Sequence, residues 1–178
     1  KPQERTWVGF QDPNIHHMPF PFPWDLEKRS ISGSELFQEH LIDLEQQGVN
    51  LKRIAAFMIE SFQGWGAVFY PDDYVTAMAK FAKENESLLV CDEIQAGFGR
   101  TGKLFAYEYY GITPDIVCCG KAASTSIPLS IVMARKKIID LDPTYTSTHG
   151  GHPFACAAGL GTIEAFENTD LVNKSKQK

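Results

Sequence analysis

Leu88-Leu89-Val90-Cys91-Asp92-Glu93 runs through four apolar residues and ends on two acids. No polar residue interrupts the run, so a strand built from it has no water-facing side and needs cover on both faces. Upstream, Ile54-Ala55-Ala56-Phe57-Met58-Ile59 is a second run of this kind. Downstream, Asp115-Ile116-Val117-Cys118-Cys119 is a third, and Leu129 to Ala134 offers a fourth. Helical patterns alternate with them. Leu36, Phe37, Leu41 and Leu44 recur at helical spacing between Ser34 and Gln47, where Gly48 suits the stop. Pro71-Asp72-Asp73 opens a second helix that runs to Glu84, with acids in its first turn. A last helix is expected from Pro153 to Phe166. Buried strands alternating with helices predict an α/β fold: a mostly parallel sheet covered by helices on both faces, in three αβα layers. Ligands of such sheets gather at the carboxyl ends of the strands.

The chain has 178 residues, a formal charge of −5, and 43% hydrophobic against 22% charged residues. That is enough for one domain with one core. A mildly acidic balance gives no reason to expect nucleic acid or an anionic membrane as partner. No apolar run approaches the length of a membrane span. Cys91, Cys118 and Cys119 lie inside apolar runs, and no spacing among the four cysteines suggests a disulfide framework or a zinc site. A reducing, cytoplasmic compartment is the simplest expectation. Lys1 and the closing Lys174-Ser175-Lys176-Gln177-Lys178 suggest neither a natural start nor a finishing cap, so the chain reads as a piece of something longer. His16 to Trp24 carries three prolines among aromatic residues, which predicts an extended loop. That loop either packs its rings on a core or reaches toward a ligand or subunit partner.

Three clusters follow predicted strands. Asp92 to Gly102 contains Gly97, Gly99 and Gly102 in a G-x-G-x-x-G pattern. A dinucleotide fingerprint turns tightly from strand into long helix, whereas here Asp92, Glu93 and Gln95 intervene and no long helix follows. The informative residue is Asp92, a carboxylate at a strand end, though a turn cap would look the same. Gly120-Lys121-Ala122-Ala123-Ser124 places a lysine among small residues just past another strand. Most such lysines point their amine to solvent. A buried one loses charge and becomes a nucleophile suited to Schiff-base chemistry. Thr146 to Pro153 brings hydroxyls and glycine amides to a helix start, where an anion can bind. His149 and His152 lack partners for a metal site, and no metal is expected.

The order of these clusters, with Lys121 29 positions after Asp92, resembles the class-III aminotransferases, enzymes of fold type I that use pyridoxal 5'-phosphate. Ile59-Glu60-Ser61-Phe62-Gln63-Gly64 and Thr148-His149-Gly150-Gly151-His152-Pro153 carry the same resemblance. It implies that residues 1–178 form part of the large, cofactor-binding domain, without the N-terminal part and the C-terminal domain of the family. Lys121 then matches the lysine that holds the cofactor and moves a proton. Asp92 matches the aspartate that pairs with its ring nitrogen, and Gln95 the residue that bonds its ring hydroxyl. Thr148 matches a threonine that reaches the phosphate of a neighbouring subunit, which implies a homodimer. Glu60 matches a supporting acid.

Where many members have Gln-Gly-Glu, this chain has Gln63-Gly64-Trp65. An indole cannot form the ion pair that glutamate makes with arginine and offers an apolar wall to the substrate instead. Residues 122–126 are poorer in glycine than the family's loop, and His149 and His152 replace an aromatic residue and an asparagine. The resemblance implies transfer of an amino group from an amine or amino acid to a 2-oxo acid, with little activity expected of this chain alone. Racemases, epimerases, aminomutases and decarboxylases share the scaffold, because the cofactor stabilises a carbanion in each. An inert core fragment is the reading outside enzymology.

Overall fold

The computed structural model describes residues 12–142, 144 and 146–177. Lys1, the stretch around Trp7 and Lys178 lie outside the described residues. From His16 to Phe22 the chain has no regular secondary structure, but Pro23 and Trp24 belong to helix α1 (Pro23–Arg29), not to the loop. Proline is tolerated at a first helical position because the N–H it lacks has no partner there. Phe20 packs on Tyr70 with ring centroids 4.4 Å apart, and Phe22 stacks on Trp24 at 4.7 Å. Phe20 therefore leans on the body of the protein, while Trp24 is exposed.

Helix α2 (Gly33–Gln46) starts at a reciprocal cap. Ser32 Oγ accepts the Glu35 N–H at 3.1 Å, and the Glu35 carboxylate accepts the Ser32 N–H at 2.8 Å. Strand β1 (Ala56–Glu60), helix α3 (Asp72–Glu84), strand β2 (Leu88–Asp92) and strand β3 (Ile116–Cys119) follow. Strand β4 (Ile131–Ala134), helix α4 (Lys136–Ile139), helix α5 (Pro153–Asn168) and helix α6 (Leu171–Lys176) complete the order. The sheet runs β1-β2-β3-β4. The first two pairings are parallel and the last is antiparallel. Asp115 ties three strands together. Its carboxylate accepts the Leu89 N–H at 3.0 Å and pairs with Arg135, just past β4, at 3.4 Å.

Helices α2 and α3 pack together and onto one face of β1 and β2, where Phe57, Ile59, Leu89 and Cys91 meet Phe37, Val75 and Met78. Each such buried side chain contributes about 1.5–3 kcal/mol. Strand alternation sends the neighbouring residues to the other face. There the pairing places Met58, Val90, Ile116 and Ala134 in one row, and Glu60, Asp92, Cys118 and Val132 in the next. Met58 and Val132 are 62% and 65% exposed.

Candidate active site

Strands β1 and β2 run parallel and in register, so Glu60 and Asp92 end them side by side on the same face, about 4.8 Å apart along the hydrogen-bonding direction. Each carboxylate is anchored by the turn that follows it. Asp92 Oδ1 accepts the Ile94 N–H at 2.9 Å, and Glu60 Oε2 accepts the Gly64 N–H at 2.9 Å. The chain leaves β3 through Gly120 and enters a 3-10 turn, Lys121–Ala123. Lys121 itself has φ 44°, a left-handed conformation that costs a side-chain-bearing residue about 1–2 kcal/mol. Such strain gathers at functional positions, where the surroundings hold it in place. Here it turns the side chain toward the first two strands, and Lys121 Nζ donates a hydrogen bond to Gln95 Oε1.

Glu60, Trp65, Asp92, Gln95 and Lys121 line one cavity of about 360 Å³. Five of the six expected site residues thus converge at the carboxyl ends of the strands. Thr148 does not line that cavity. It is exposed in a turn closed by the Gly150 N–H on Ser147 O and the His152 N–H on His149 O, just before α5. Lys121 is exposed, as most lysines at such positions are. The small residues after it form a tight turn, and within this chain Gln95 is the side chain that engages its amine. A larger cavity, about 560 Å³, lies between the 98–100 turn, the segment after Lys121, α5 and α6, but Arg100 is the only charged side chain lining it. Convergent amine, carboxylates and amide make the smaller one the candidate site.

The three glycines of the G-x-G-x-x-G pattern build turns, and no helix follows them before the 3-10 segment Ala106–Tyr110. Gly99 and Gly102 have φ of 80° and 89°, and a Cβ on Gly97 would stand 2.8 Å from Glu93 O. Glycine is required here by backbone geometry. Among the described residues, no group of three or more His, Cys, Asp or Glu side chains could hold a metal ion. All four cysteines are free, and burial pushes the Cys91 thiol up to about 12 and the Cys119 thiol to about 11.

Sequence reasoning missed Glu93. It is fully buried, and its carboxylate accepts the Ala106 and Tyr107 N–H groups at 2.9 Å each. Burial raises its pKa above the usual carboxylate range, against the pull of those hydrogen bonds. It pins the 3-10 segment whose Tyr110 hydroxyl donates to Ser61 O at 2.7 Å, so the turns after β1 and β2 share one support. Strand alternation points Glu93 away from Asp92. Its partners, 13 and 14 positions on, carry no local signal.

The model of the family described as aminotransferase class-III matches residues 1–178. The chain belongs to the class-III aminotransferase family. Among its relatives, the 4-aminobutyrate aminotransferase of Mycobacterium leprae is 32% identical over 171 residues, 93% of this chain and 38% of that protein. The ornithine aminotransferase of Emericella nidulans is 39% identical over 137 residues, 75% of this chain and 30% of the relative. The crystal structure of a thermostable (S)-enantioselective omega-transaminase from Thermomicrobium roseum superposes with a TM-score of 0.80 and 32% identity, over 95% of this chain and 40% of that one. The αβα fold expected for a class-III aminotransferase is therefore the fold found. The chain spans about two fifths of the length of the 4-aminobutyrate relatives. Among the described residues no helix is long and apolar enough to cross a membrane.

Proposed function

We propose that residues 1–178 form part of the large domain of a pyridoxal-phosphate-dependent aminotransferase, which transfers an amino group from an amine or amino acid to a 2-oxo acid. The observation that carries this reading is the hydrogen bond between Lys121 Nζ and Gln95 Oε1 in a cavity shared with Asp92 and Glu60. The donor set fits the cofactor: a primary amine for an aldehyde, a carboxylate for a ring nitrogen, an amide for a ring hydroxyl. A cavity of about 360 Å³ is within the usual range for small-ligand sites. When bound, pyridoxal phosphate supplies an aldehyde that captures amines and a ring that takes up the charge left when a bond at the amine carbon breaks.

The residues of this chain do the rest. Lys121 would hold the cofactor, and its amine would move the proton at the substrate carbon. Gln95 orients that amine. Asp92 would keep a proton on the ring nitrogen, with its carboxylate already fixed by the Ile94 N–H. Glu60 holds the following turn through Gly64, and with it Trp65 at the substrate side. Thr148, outside the cavity, serves the phosphate bound by a second copy, so the working unit is a homodimer. Four free thiols fit a cytoplasmic protein.

Borohydride reduction after incubation with pyridoxal phosphate, followed by peptide mass spectrometry, tests the proposal. A pyridoxyl adduct is expected on Lys121, absent in Lys121→Ala and weakened in Asp92→Ala. Labelling scattered over surface lysines, or none, overturns it.

A further inference from the structure

The phenol of Tyr110 is buried, and its oxygen has two partners. It donates to Ser61 O at 2.7 Å and accepts the Tyr70 N–H at 3.1 Å. Burial raises the pKa of this hydroxyl, so the proton that makes the first bond stays in place. Buried tyrosines usually find a partner somewhere. What sets Tyr110 apart is where its partners lie: at the two ends of the loop, residues 61–70, that joins β1 to α3.

Inside that loop, Gln63 and Val68 pair N–H to O at 2.9 and 3.4 Å, and the Gly64 N–H donates to Glu60 Oε2 at 2.9 Å. These bonds shape the loop without tying it to β2. At its base the Ser61 N–H reaches Asp92 O at 3.4 Å, a long bond. Tyr110 adds the firmer tie, because its own segment is held from the β2 side. Glu93, next to Asp92, accepts the Ala106 and Tyr107 N–H groups. Within this frame Gly64 abuts Gln95: a Cβ on Gly64 would stand 2.9 Å from Gln95 Cγ. Gln95 Oε1 in turn accepts the hydrogen bond from Lys121 Nζ.

We propose that Tyr110 is a positioning residue for the Lys121 amine: its hydroxyl clasps both ends of the 61–70 loop, so that Gly64 backs Gln95 against Nζ. The inference rests on the aminotransferase reading above. Tyr110→Phe removes the clasp and keeps the ring, which packs on Phe69 with centroids 6.5 Å apart. Ser61 O and the Tyr70 N–H then lose their partner, and the loop is free to lift from the end of β2. Gln95 loses its backing, and the amine loses its aim. Asp92 keeps its own anchor on the Ile94 N–H. The loss therefore falls on how fast the lysine captures an aldehyde, not on how tightly the cofactor docks.

The test uses the full protein, stripped of cofactor and mixed with pyridoxal phosphate. Borohydride quenches the mixture over time, and mass spectrometry counts the pyridoxyl adduct at Lys121. In Tyr110→Phe the capture rate at saturating pyridoxal phosphate should fall about tenfold or more, the usual cost of misplacing a reacting group. The half-saturating concentration should stay as in the native protein. Phe37→Leu, in the core on the opposite face of the sheet, should lower the denaturant midpoint and leave the capture rate alone. Tyr110→Phe combined with Gly64→Ala should lose no more than Gly64→Ala alone, because both act through Gln95. Glu93→Gln enters the same frame from its other end and should slow capture in the same way, even if Tyr110→Phe fails to fold. A native capture rate in Tyr110→Phe or in Glu93→Gln overturns the inference. So does a loss from Tyr110→Phe that multiplies in full with that of Gly64→Ala. Failure of the aminotransferase reading looks different, because Lys121 of the native protein would then take no adduct at all.

Discussion

A Cβ placed on Gly64 would stand 2.9 Å from Cγ of Gln95 and 3.5 Å from Oε2 of Glu60. Gln95 cannot yield without losing its bond to Lys121, so Gly64→Ala reaches the lysine through one intermediate side chain. Displacements of this size at a reacting group cost about tenfold or more. The borohydride-trapped fraction at Lys121 should fall by that factor, with circular dichroism unchanged. Gly48→Ala is the matching control. It has no atom within 4 Å but a φ of 86°, so it should cost stability and leave trapping alone. Glu93 is a second residue with a measurable signature. Burial raises its folded pKa above the usual 4.5. The folded chain therefore keeps a proton that the unfolded chain has already lost. The group's favourable contribution is full below about 4.5 and is lost as pH rises through the folded value. Glu93→Gln cannot titrate, and it leaves the Ala106 or Tyr107 N–H facing an amide donor. It should destabilise by about 1–3 kcal/mol at neutral pH. The gap between native protein and variant should widen toward pH 4.5, as read by denaturant midpoints.

Helices α2 and α3 meet at a point with no spare room. A Cβ on Gly33 would collide with the Asp73 carboxylate and lie 2.9 Å from the Tyr74 backbone nitrogen. Asp73 cannot simply swing away, because its Oδ2 accepts the Ser34 N–H at 3.1 Å. Gly33→Ala should therefore pry the helix starts apart and cost about 1–3 kcal/mol, whereas an alanine at half-buried Ser34 should cost less. Most of these elements were legible beforehand, because periodicity is a local property. The runs at 54–59, 88–91 and 115–119 became strands within two residues of their expected ends. The unbroken apolar pattern also placed Asp92 and Glu60 at strand ends, where the site forms. What stayed hidden was set by contacts distant in sequence. The residues from Leu129 to Ala134 read the same in either direction, and only pairing with β3 makes β4 antiparallel. The start of α1 at Pro23 followed from what proline lacks, not from an apolar period. Lys121's left-handed backbone and its exposure leave no trace in composition at all.

The surface of the whole chain argues that something covers it. A compact protein of 19.9 kDa exposes about 8,700 Å², whereas this chain exposes 12156 Å². Part of the excess is apolar and concentrated. Met58 and Val132 lie bare on the sheet face that carries Glu60 and Asp92, and α5 exposes Phe154, Leu160 and Ile163. Exposed apolar area of this kind drives association. The 178-residue chain alone should bind a hydrophobic dye and sediment as concentration-dependent oligomers. Met58→Lys separates two accounts of that behaviour. If the bare sheet face is the sticky surface, the lysine should shift the chain toward monomer without loss of helix content. The same substitution in the full protein should act in the opposite sense. There a lysine at position 58 would sit under whatever covers the face and have to lose its water, at a cost of several kcal/mol. Unfolding midpoints of the full protein with and without Met58→Lys decide the matter. A neutral effect would mean that the face stays open in the full protein, with the carboxylates beside it in contact with water.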